Sequence, residues 1–356
     1  MNGVGALGLG LLALLATACA STPAADRVAA PRPPARAAAP AAVPPPAPVR
    51  PVEVLPEAFE SDDFVVTWAQ PGDTAASLAR RYLGDARLAW MIEDYAGTAE
   101  LVPSQEVVIP KRPWNLAGVE PEGYQLVPVL VYHNLAERPR GRMVMAASSF
   151  EQQMRYLKAH GYRVISLTEV VEWMQLGRQL PRRAVVLTFD DGYRAFRQHA
   201  YPVLRELGFA ATLFVYTDYV GAGRNAMSWD DLRQLVAEGF DVQAHSKSHG
   251  DLKRAPGEAE AQHLRRLHQE LVEPLETFQR QLGRGSRILA YPYGSWDEEV
   301  VARAREAGYI AGFSVRRQGN ASFVRPLAAH RSQIYGDMSL EDFARNLNVF
   351  QQEPLR

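Results

Sequence analysis

The sequence predicts an α/β protein whose larger part is a distorted (β/α) barrel, preceded by a small βααβ module. Apolar runs with the length of buried strands alternate with amphipathic helical patterns from about residue 124 onward. Such an alternation is typical of a parallel sheet that is covered by helices on both faces. The stretch 124–350 has the length of a (β/α) barrel, and three of its predicted strands end in residues suited to chemistry.

The individual elements of the barrel follow from hydrophobic periodicity. Mostly apolar runs predict the strands Val127–Tyr132, Ala184–Phe189, Ala211–Tyr216, Asp241–Ala244, Arg287–Tyr291 and Ile310–Val315. Apolar residues at helical spacing predict helices over Phe150–His160, Ala195–Leu207, Trp229–Glu238 and Asp297–Ala307. A longer helix is predicted over 264–282, with a bend at Pro274 because proline lacks the backbone N–H.

Composition narrows the class of protein. The 356 residues leave room for one large domain and something smaller. A net charge of −1 gives no indication of nucleic-acid binding, so a nucleic-acid partner is not expected. Cys19 is the only cysteine, which excludes a disulfide or a cysteine-based metal site within the chain.

The first residues have the pattern of a secretory signal. Residues 4–18 form an apolar run that is too short for a comfortable membrane span. The run ends in Leu15-Ala16-Thr17-Ala18-Cys19, which resembles a bacterial lipobox, although no Lys or Arg precedes it. The resemblance implies a signal peptide over 1–19, lipidation of Cys19 and a lipid-anchored protein of the cell envelope. Because no Asp follows Cys19, the outer membrane is the expected location; an ordinary signal peptide with an incidental cysteine is the alternative.

Two segments separate this signal from the barrel. Residues 20–56 are dominated by Ala and Pro, which predicts a disordered, extended tether. Residues 62–112 carry a strand over Phe64–Trp68, a turn at 71–74, two short helices and a strand over Val107–Pro110. This order resembles a LysM module, which implies binding of N-acetylglucosamine-containing glycans. Asp94 and Ser104 depart from the usual pattern, and a spacer that binds no glycan is the alternative.

Carboxylates and histidines at the ends of the predicted strands indicate metal-assisted hydrolysis. Asp190 and Asp191 end one predicted strand, and His245 ends another with His249 four residues later. Imidazole nitrogens and one carboxylate suit a borderline cation such as Zn²⁺, with a position left for water. Asp191, His245 and His249 suit the ligand positions, and Asp190 suits a general base.

These motifs resemble the NodB-type polysaccharide deacetylases of carbohydrate esterase family 4. They are T-F-D-D-G at 188–192, H-S-x-x-H at 245–249 and Y-P-Y-G at 291–294. The resemblance implies that Asp190 is the base and that Asp191, His245 and His249 hold the metal, most typically Zn²⁺. It also implies that the Tyr293 backbone N–H stabilises the oxyanion while acetate leaves an N-acetylglucosamine polymer.

Two departures from the family pattern bear on which residue steadies the base and which residue acts as the acid. Ala290 stands where many members have an arginine that steadies the base, and the downstream Asp-Trp motif is missing. Both the Ala-Tyr-Pro-Tyr-Gly segment and the opening Val-Tyr-His resemble the branch that deacetylates poly-N-acetylglucosamine. In that branch a histidine before the Asp-Asp motif is the acid, which implies His133 here. His330 is the competing acid, and Arg331 is a candidate replacement for the missing arginine.

Two other functions compete with the deacetylase. A non-enzymatic glycan-binding lipoprotein with a degenerate barrel is the first, and a glycoside hydrolase is the second. The hydrolase is disfavoured because no second acidic residue stands out across a cleft. For a deacetylase, the LysM-like module indicates peptidoglycan or chitin, whereas the strand-end motifs indicate an exopolysaccharide.

Overall fold

The computed structural model describes residues 58–354. The signal peptide over 1–19, the lipidation of Cys19 and the tether over 20–56 therefore lie outside the described residues. Between residues 58 and 354, no helix is both long and apolar enough to cross a bilayer.

Residues 58–110 form a small antiparallel sheet with two helices packed on it. The strands are β1 (Ala58–Glu60), β2 (Phe64–Trp68) and β3 (Glu106–Pro110), and the helices are α1 (Ala75–Leu83) and α2 (Ala89–Ala96). Their order matches the predicted βααβ pattern, with β1 as an additional edge strand paired to β2. Thr74 starts α1 through a capping box with Ser77. Leu78, Ile92 and Ile109 are fully buried between the sheet and the helices.

The rest of the chain contains thirteen strands and eight helices in the described range. The strands are β4 (Val119–Glu120), β5 (Gly123–Gln125), β6 (Val129–Tyr132), β7 (Asn134–Ala136), β8 (Val144–Ala146), β9 (Arg163–Val164), β10 (Ala184–Asp191), β11 (Thr212–Val215), β12 (Asp241–Ala244), β13 (Ile288–Ala290), β14 (Ala311–Phe313), β15 (Ser332–Gln333) and β16 (Phe350–Gln352). The helices are α3 (Ala147–Ala159), α4 (Leu167–Met174), α5 (Tyr201–Leu207), α6 (Trp229–Ala237), α7 (Glu260–Leu271), α8 (Glu273–Leu282), α9 (Glu298–Ala307) and α10 (Leu340–Ala344).

The larger part of the fold is built on one parallel sheet. Its strand order is β14-β13-β12-β11-β10-β6-β15, with β9 paired to the start of β10. A parallel bridge between Phe313 and Ala329 joins the two ends of this sheet. The arrangement confirms the predicted distorted (β/α) barrel. All six predicted barrel strands are present, whereas the two-residue strands β9 and β15 are too short to show a hydrophobic period.

The predicted long helix is two helices. α7 and α8 are separated at Val272, two residues before Pro274. Pro274 has no N–H to donate, and its ring conflicts with the carbonyl four residues earlier, so the first helix ends and a second begins. The predicted helix over 195–207 likewise starts as a π-helical segment before α5 begins at Tyr201.

Side chains of β10 alternate between two layers of the core. Ala184 and Val186 pack with Trp173 in the cluster enclosed by the barrel, whereas Val185 and Leu187 pack with the surrounding helices. Thr188 and Asp190 continue the inward row. This alternation carries a carboxylate into the top of the barrel, which is where parallel barrels hold their active sites.

Candidate active site

Asp190 and Asp191 end β10 with their side chains in different directions. Asp190 keeps the inward alternation of its strand and is 2% exposed. Asp191 has a φ of +74°, which breaks the strand and turns the next carboxylate into the cleft. Gly192 continues the turn at a φ of +87°. Two neighbouring carboxylates can therefore take part in separate networks.

Arg331 pairs with Asp190 inside the barrel. Its two terminal nitrogens donate to the two carboxylate oxygens of Asp190 at 2.7 and 2.9 Å, and the arginine is fully buried. The same guanidinium donates to the Ser314 carbonyl and the Thr188 hydroxyl, and it lies over the Phe214 ring. Burial alone would raise the pKa of Asp190, but the charge and hydrogen bonds of Arg331, together with the nearby histidines His245 and His133, lower that pKa to about 2. Asp190 is therefore ionised at neutral pH.

His245 is fixed in one tautomer. Its Nδ1 lies 2.7 Å from the Ala290 carbonyl oxygen, which can only accept, so Nδ1 carries the proton. Nε2 then presents its lone pair to the cleft, 3.6 Å from an oxygen of Asp190 and 3.7 Å from one of Asp191. Burial lowers the pKa of His245 to about 4, which keeps the ring neutral and available as a ligand.

His249 reaches the same point from a turn. Its Nε2 lies 3.3 Å from Oδ1 of Asp191. Ser246 and His249 both have left-handed backbone, with φ of +67° and +65°. The hydroxyl of Ser246 accepts a hydrogen bond from the His249 N–H at 3.1 Å and closes this turn.

Asp191, His245 and His249 have the geometry of a metal centre. Their ligand atoms lie within 4.8 Å of one another. Oδ1 of Asp191 is buried and has no hydrogen-bond partner among residues 58–354, and burial raises the pKa of this carboxyl to about 6. A buried oxygen without a donor and with two imidazole nitrogens beside it fits a divalent cation.

Tyr293 borders the cleft from the loop after β13. Its backbone is left-handed, at a φ of +59°. The residue is 67% exposed, and its ring centroid lies 4.7 Å from that of His249. Gly294 completes the turn, because a Cβ there would come within 2.5 Å of the Val315 nitrogen. The Tyr293 ring thus lies at the edge of the ligand group.

Further tyrosines continue this border. Tyr216 packs against His249 at 5.2 Å and stacks on Tyr219, which in turn contacts Tyr193. The Tyr193 hydroxyl faces Asp191, and its hydrogen bond opposes part of the rise that burial causes in the pKa of that carboxyl. The sequence assigns Tyr216 only to a predicted strand and gives Tyr219 no role, although both lie within four residues of the end of β11.

The two candidate acids have different surroundings. The pairing of Tyr132 with Phe189 places His133, the residue after β6, level with Asp190 of the neighbouring strand, close enough to interact electrostatically with both Asp190 and Asp191. His330 instead lines a cavity of about 310 Å³ with Tyr124 and Phe323. Because strand residues alternate, Arg331 points inward and its neighbour His330 points away. The structure does not bring His330 to the carboxylates.

Comparison with known proteins identifies the class of domain. Residues 177–312 match the sequence model of the polysaccharide deacetylase family. This segment holds the Asp-Asp, His-x-x-x-His and Pro-Tyr-Gly motifs, so this part of the barrel is similar to the polysaccharide deacetylase domains of the NodB type, which are hydrolytic enzymes.

Individual proteins resemble the chain at modest identity. YxkH of Bacillus subtilis is 24% identical over 223 residues, which cover 63% of this chain and 76% of that protein. The poly-beta-1,6-N-acetyl-D-glucosamine N-deacetylase of Staphylococcus aureus is 24% identical over 183 residues, covering 49% of this chain but only 62% of its own length. The structure of the Streptococcus pyogenes deacetylase PplD in complex with acetate has a TM-score of 0.57 at 22% identity, covering 64% of this chain and 99% of that one.

The Asp190–Arg331 pair generates a stability prediction. Arg331→Met leaves a buried carboxylate without its partner, so we expect a loss of about 3–5 kcal/mol in the free energy of unfolding, measured by urea denaturation. Arg345→Met is the control, because Arg345 is exposed and its ion pairs contribute about 1 kcal/mol or less. Adding Asp190→Asn to Arg331→Met should restore part of the loss. An equal loss in the single and double variants would contradict the assignment.

Proposed function

We propose that the chain is a metal-dependent N-deacetylase of N-acetylglucosamine polysaccharides that releases acetate. The observation that carries this proposal is the position of Asp190. Arg331 keeps the Asp190 carboxylate ionised. One oxygen of this carboxylate lies 3.6 Å from Nε2 of His245, which is one of the three residues of the ligand group. A base and a cation site at one point of a barrel suit attack of water on an acyl carbon.

Asp191, His245 and His249 would hold the cation, and Zn²⁺ is the proposed metal because two imidazoles and one carboxylate match its preferences. When bound, such a cation polarises the amide carbonyl and favours ionisation of water. The protein contributes the fixed Nδ1–H tautomer of His245, held by the Ala290 carbonyl. The same hydrogen bond aims the Nε2 lone pair of His245 into the ligand group.

The remaining residues would handle protons and charge. Asp190 accepts the proton of the attacking water, and the two hydrogen bonds from Arg331 fix its orientation. The backbone N–H of Tyr293 donates to the oxyanion that forms at the acyl carbon. His133, which directly follows the strand next to Asp190, donates a proton to the leaving amine so that the C–N bond can break.

The proposed substrate class rests on the similarity to a named deacetylase and on the tyrosines that border the cleft. The staphylococcal relative is named for poly-beta-1,6-N-acetyl-D-glucosamine. Tyr216, Tyr219 and Tyr293 offer ring faces or edges beside the ligand group, a common way to contact sugar rings. An exopolysaccharide or peptidoglycan is therefore the proposed polymer, with chitin as a further source of the same sugar.

The proposed organisation has four parts. It comprises a lipoprotein signal over 1–19, a tether over 20–56, a LysM-like glycan-binding module over 62–112 and the deacetylase domain over 124–350. In this arrangement a lipid on Cys19 anchors the enzyme to the outer membrane, and the module brings it to a glycan of the periplasm or the cell surface.

Acetate release tests the proposed reaction. Purified protein should release acetate from poly-N-acetylglucosamine or peptidoglycan, lose this activity with a chelator and regain it with Zn²⁺. Asp190→Asn should lower kcat by about 10²–10⁴-fold, because it removes the base. Chelator-insensitive release would contradict the mechanism. Absence of release by metal-loaded protein from every polymer would favour a glycan-binding protein without activity.

The two histidines can be separated by substitution. His133→Gln should lower kcat by about 10²–10³-fold, because the amine then leaves without a proton donor. His330→Gln is the matched control and should leave kcat within a factor of about two, since His330 lines another cavity. A large loss on replacing His330 and none on replacing His133 would reverse the assignment. Acetate release under saturating metal and substrate measures both.

The exposed ring of Tyr293 is predicted to bind sugar. Tyr293→Ala retains the backbone N–H and removes only the ring, so KM should rise about tenfold with kcat changing less than about threefold. Phe323→Ala, an exposed ring at 64% that lines the His330 cavity, is the control and should change neither. A fall in kcat at constant KM for Tyr293→Ala would contradict a role of the ring in binding. Initial rates on a soluble N-acetylglucosamine oligomer provide both constants.

A further inference from the structure

Glu270 is a buried carboxylate outside the predicted site. It lies near the end of α7 and is 7% exposed. Its Oε2 accepts hydrogen bonds from the N–H groups of Lys247 and Ser248 at 3.0 and 2.9 Å, and its Oε1 accepts one from the Ser248 hydroxyl at 2.5 Å. All three donors belong to the segment 245–249, here called the ligand loop. Glu270 therefore holds the two residues that lie between His245 and His249.

The ligand loop needs such support because its backbone is strained. Ser246 and His249 are left-handed without being glycine, a conformation that persists where surrounding contacts impose it. Two consecutive N–H groups, those of Lys247 and Ser248, point out of the turn toward Glu270. A buried carboxylate satisfies both donors at once, and such charge-assisted bonds are stronger than neutral ones.

The opposite side of the ligand loop is held by backbone. The Lys247 carbonyl accepts from the Asp218 N–H at 3.0 Å, and the Ser246 carbonyl accepts from the Thr217 N–H at 3.3 Å. Lys247 also forms an ion pair with Asp218 at 2.6 Å. The loop is thus clamped between the segment after β11 and Glu270, and only the Glu270 side depends on a single side chain.

The position of Glu270 is itself fixed by the core. Its helical neighbours Leu267 and Leu271 are buried at 1% exposure in the main hydrophobic cluster. The hydroxyl of buried Tyr309 donates to the Leu271 carbonyl at 3.0 Å, at the last turn of α7. Because α7 is anchored in this way, the Glu270 carboxylate that contacts the ligand loop is held in place, unlike a carboxylate on a mobile surface side chain.

We propose that Glu270 is a positioning residue that holds the ligand loop in its metal-binding conformation, so that His249 stands beside Asp191 before any metal arrives. This inference rests on the proposed metal site. It predicts that the loss of Glu270 weakens metal binding, because binding must then also order the loop. Outer contacts of this kind typically change metal affinity by about 10–100-fold.

Metal titration of the full chain tests this role. Zn²⁺ affinity is measured by competition with a chromophoric chelator, and the visible spectrum of bound Co²⁺ reports the ligand geometry. Glu270→Leu should weaken Zn²⁺ binding about 10–100-fold and change the Co²⁺ spectrum. Glu270→Gln should stay within about fivefold, because its amide oxygen can accept from both N–H groups while its NH₂ donates to the Ser248 hydroxyl. Glu260→Gln, an exposed position on the same helix, is the control and should match the unaltered chain.

The possible outcomes separate this role from the proposed function. If the unaltered chain binds neither Zn²⁺ nor Co²⁺, the metal site and the role of Glu270 both fall. If it binds metal and Glu270→Leu binds equally well with the same spectrum, only the role of Glu270 falls. If Glu270→Leu does not fold, Glu270→Asp tests the role instead, because its shorter side chain keeps the charge but places it farther from the ligand loop. An affinity about tenfold weaker supports the role, and unchanged affinity overturns it.

Discussion

The buried ion pair between Asp190 and Arg331 is the interaction on which the candidate site depends. It joins the end of β10 to the residue that precedes the short strand β15, across the strand β6 that lies between them. Removing two charges from water is costly and is offset only by good geometry with additional hydrogen bonds. Both carboxylate oxygens are paired here, and the guanidinium has further acceptors at Ser314 and Thr188. The pair thus places an ionised carboxylate inside an otherwise apolar barrel.

Backbone strain is concentrated around this carboxylate. Six non-glycine residues in the described part of the chain have positive φ, and four of them are Asp191, Ser246, His249 and Tyr293. Residues in such conformations persist where the surrounding structure holds them, and they cluster at functional sites. The rigid sheet fixes where each loop starts, and the strained residue then turns the side chain or the backbone toward the common cleft. A regular continuation of each strand would point these groups elsewhere.

Much of this arrangement follows from local sequence. The Asp-Asp pair and the His-x-x-x-His pair lie at the ends of apolar runs, so the barrel topology alone places them at one edge. Arg331 is different, because it lies 141 residues beyond Asp190, directly before a two-residue strand that shows no hydrophobic period. Glu270 lies 23 residues beyond Lys247, outside the motifs, and resembles a solvated helix residue until the packing of α7 is known. Their roles depend on tertiary contacts, which a single sequence does not display.

The site consists of two networks that meet at adjacent residues. Asp190 belongs to one, with Arg331, Thr188 and Ser314 in the interior of the barrel. Asp191 belongs to the other, with His245 and His249. The Ala290 carbonyl holds the His245 ring, and Glu270 holds the backbone between the two histidines. The left-handed turn at Asp191 separates the two carboxylates, and His245 lies beside both of them. The end of β10 therefore supplies a carboxylate paired with arginine for the proposed base and a second carboxylate, without such a partner, for the proposed metal site.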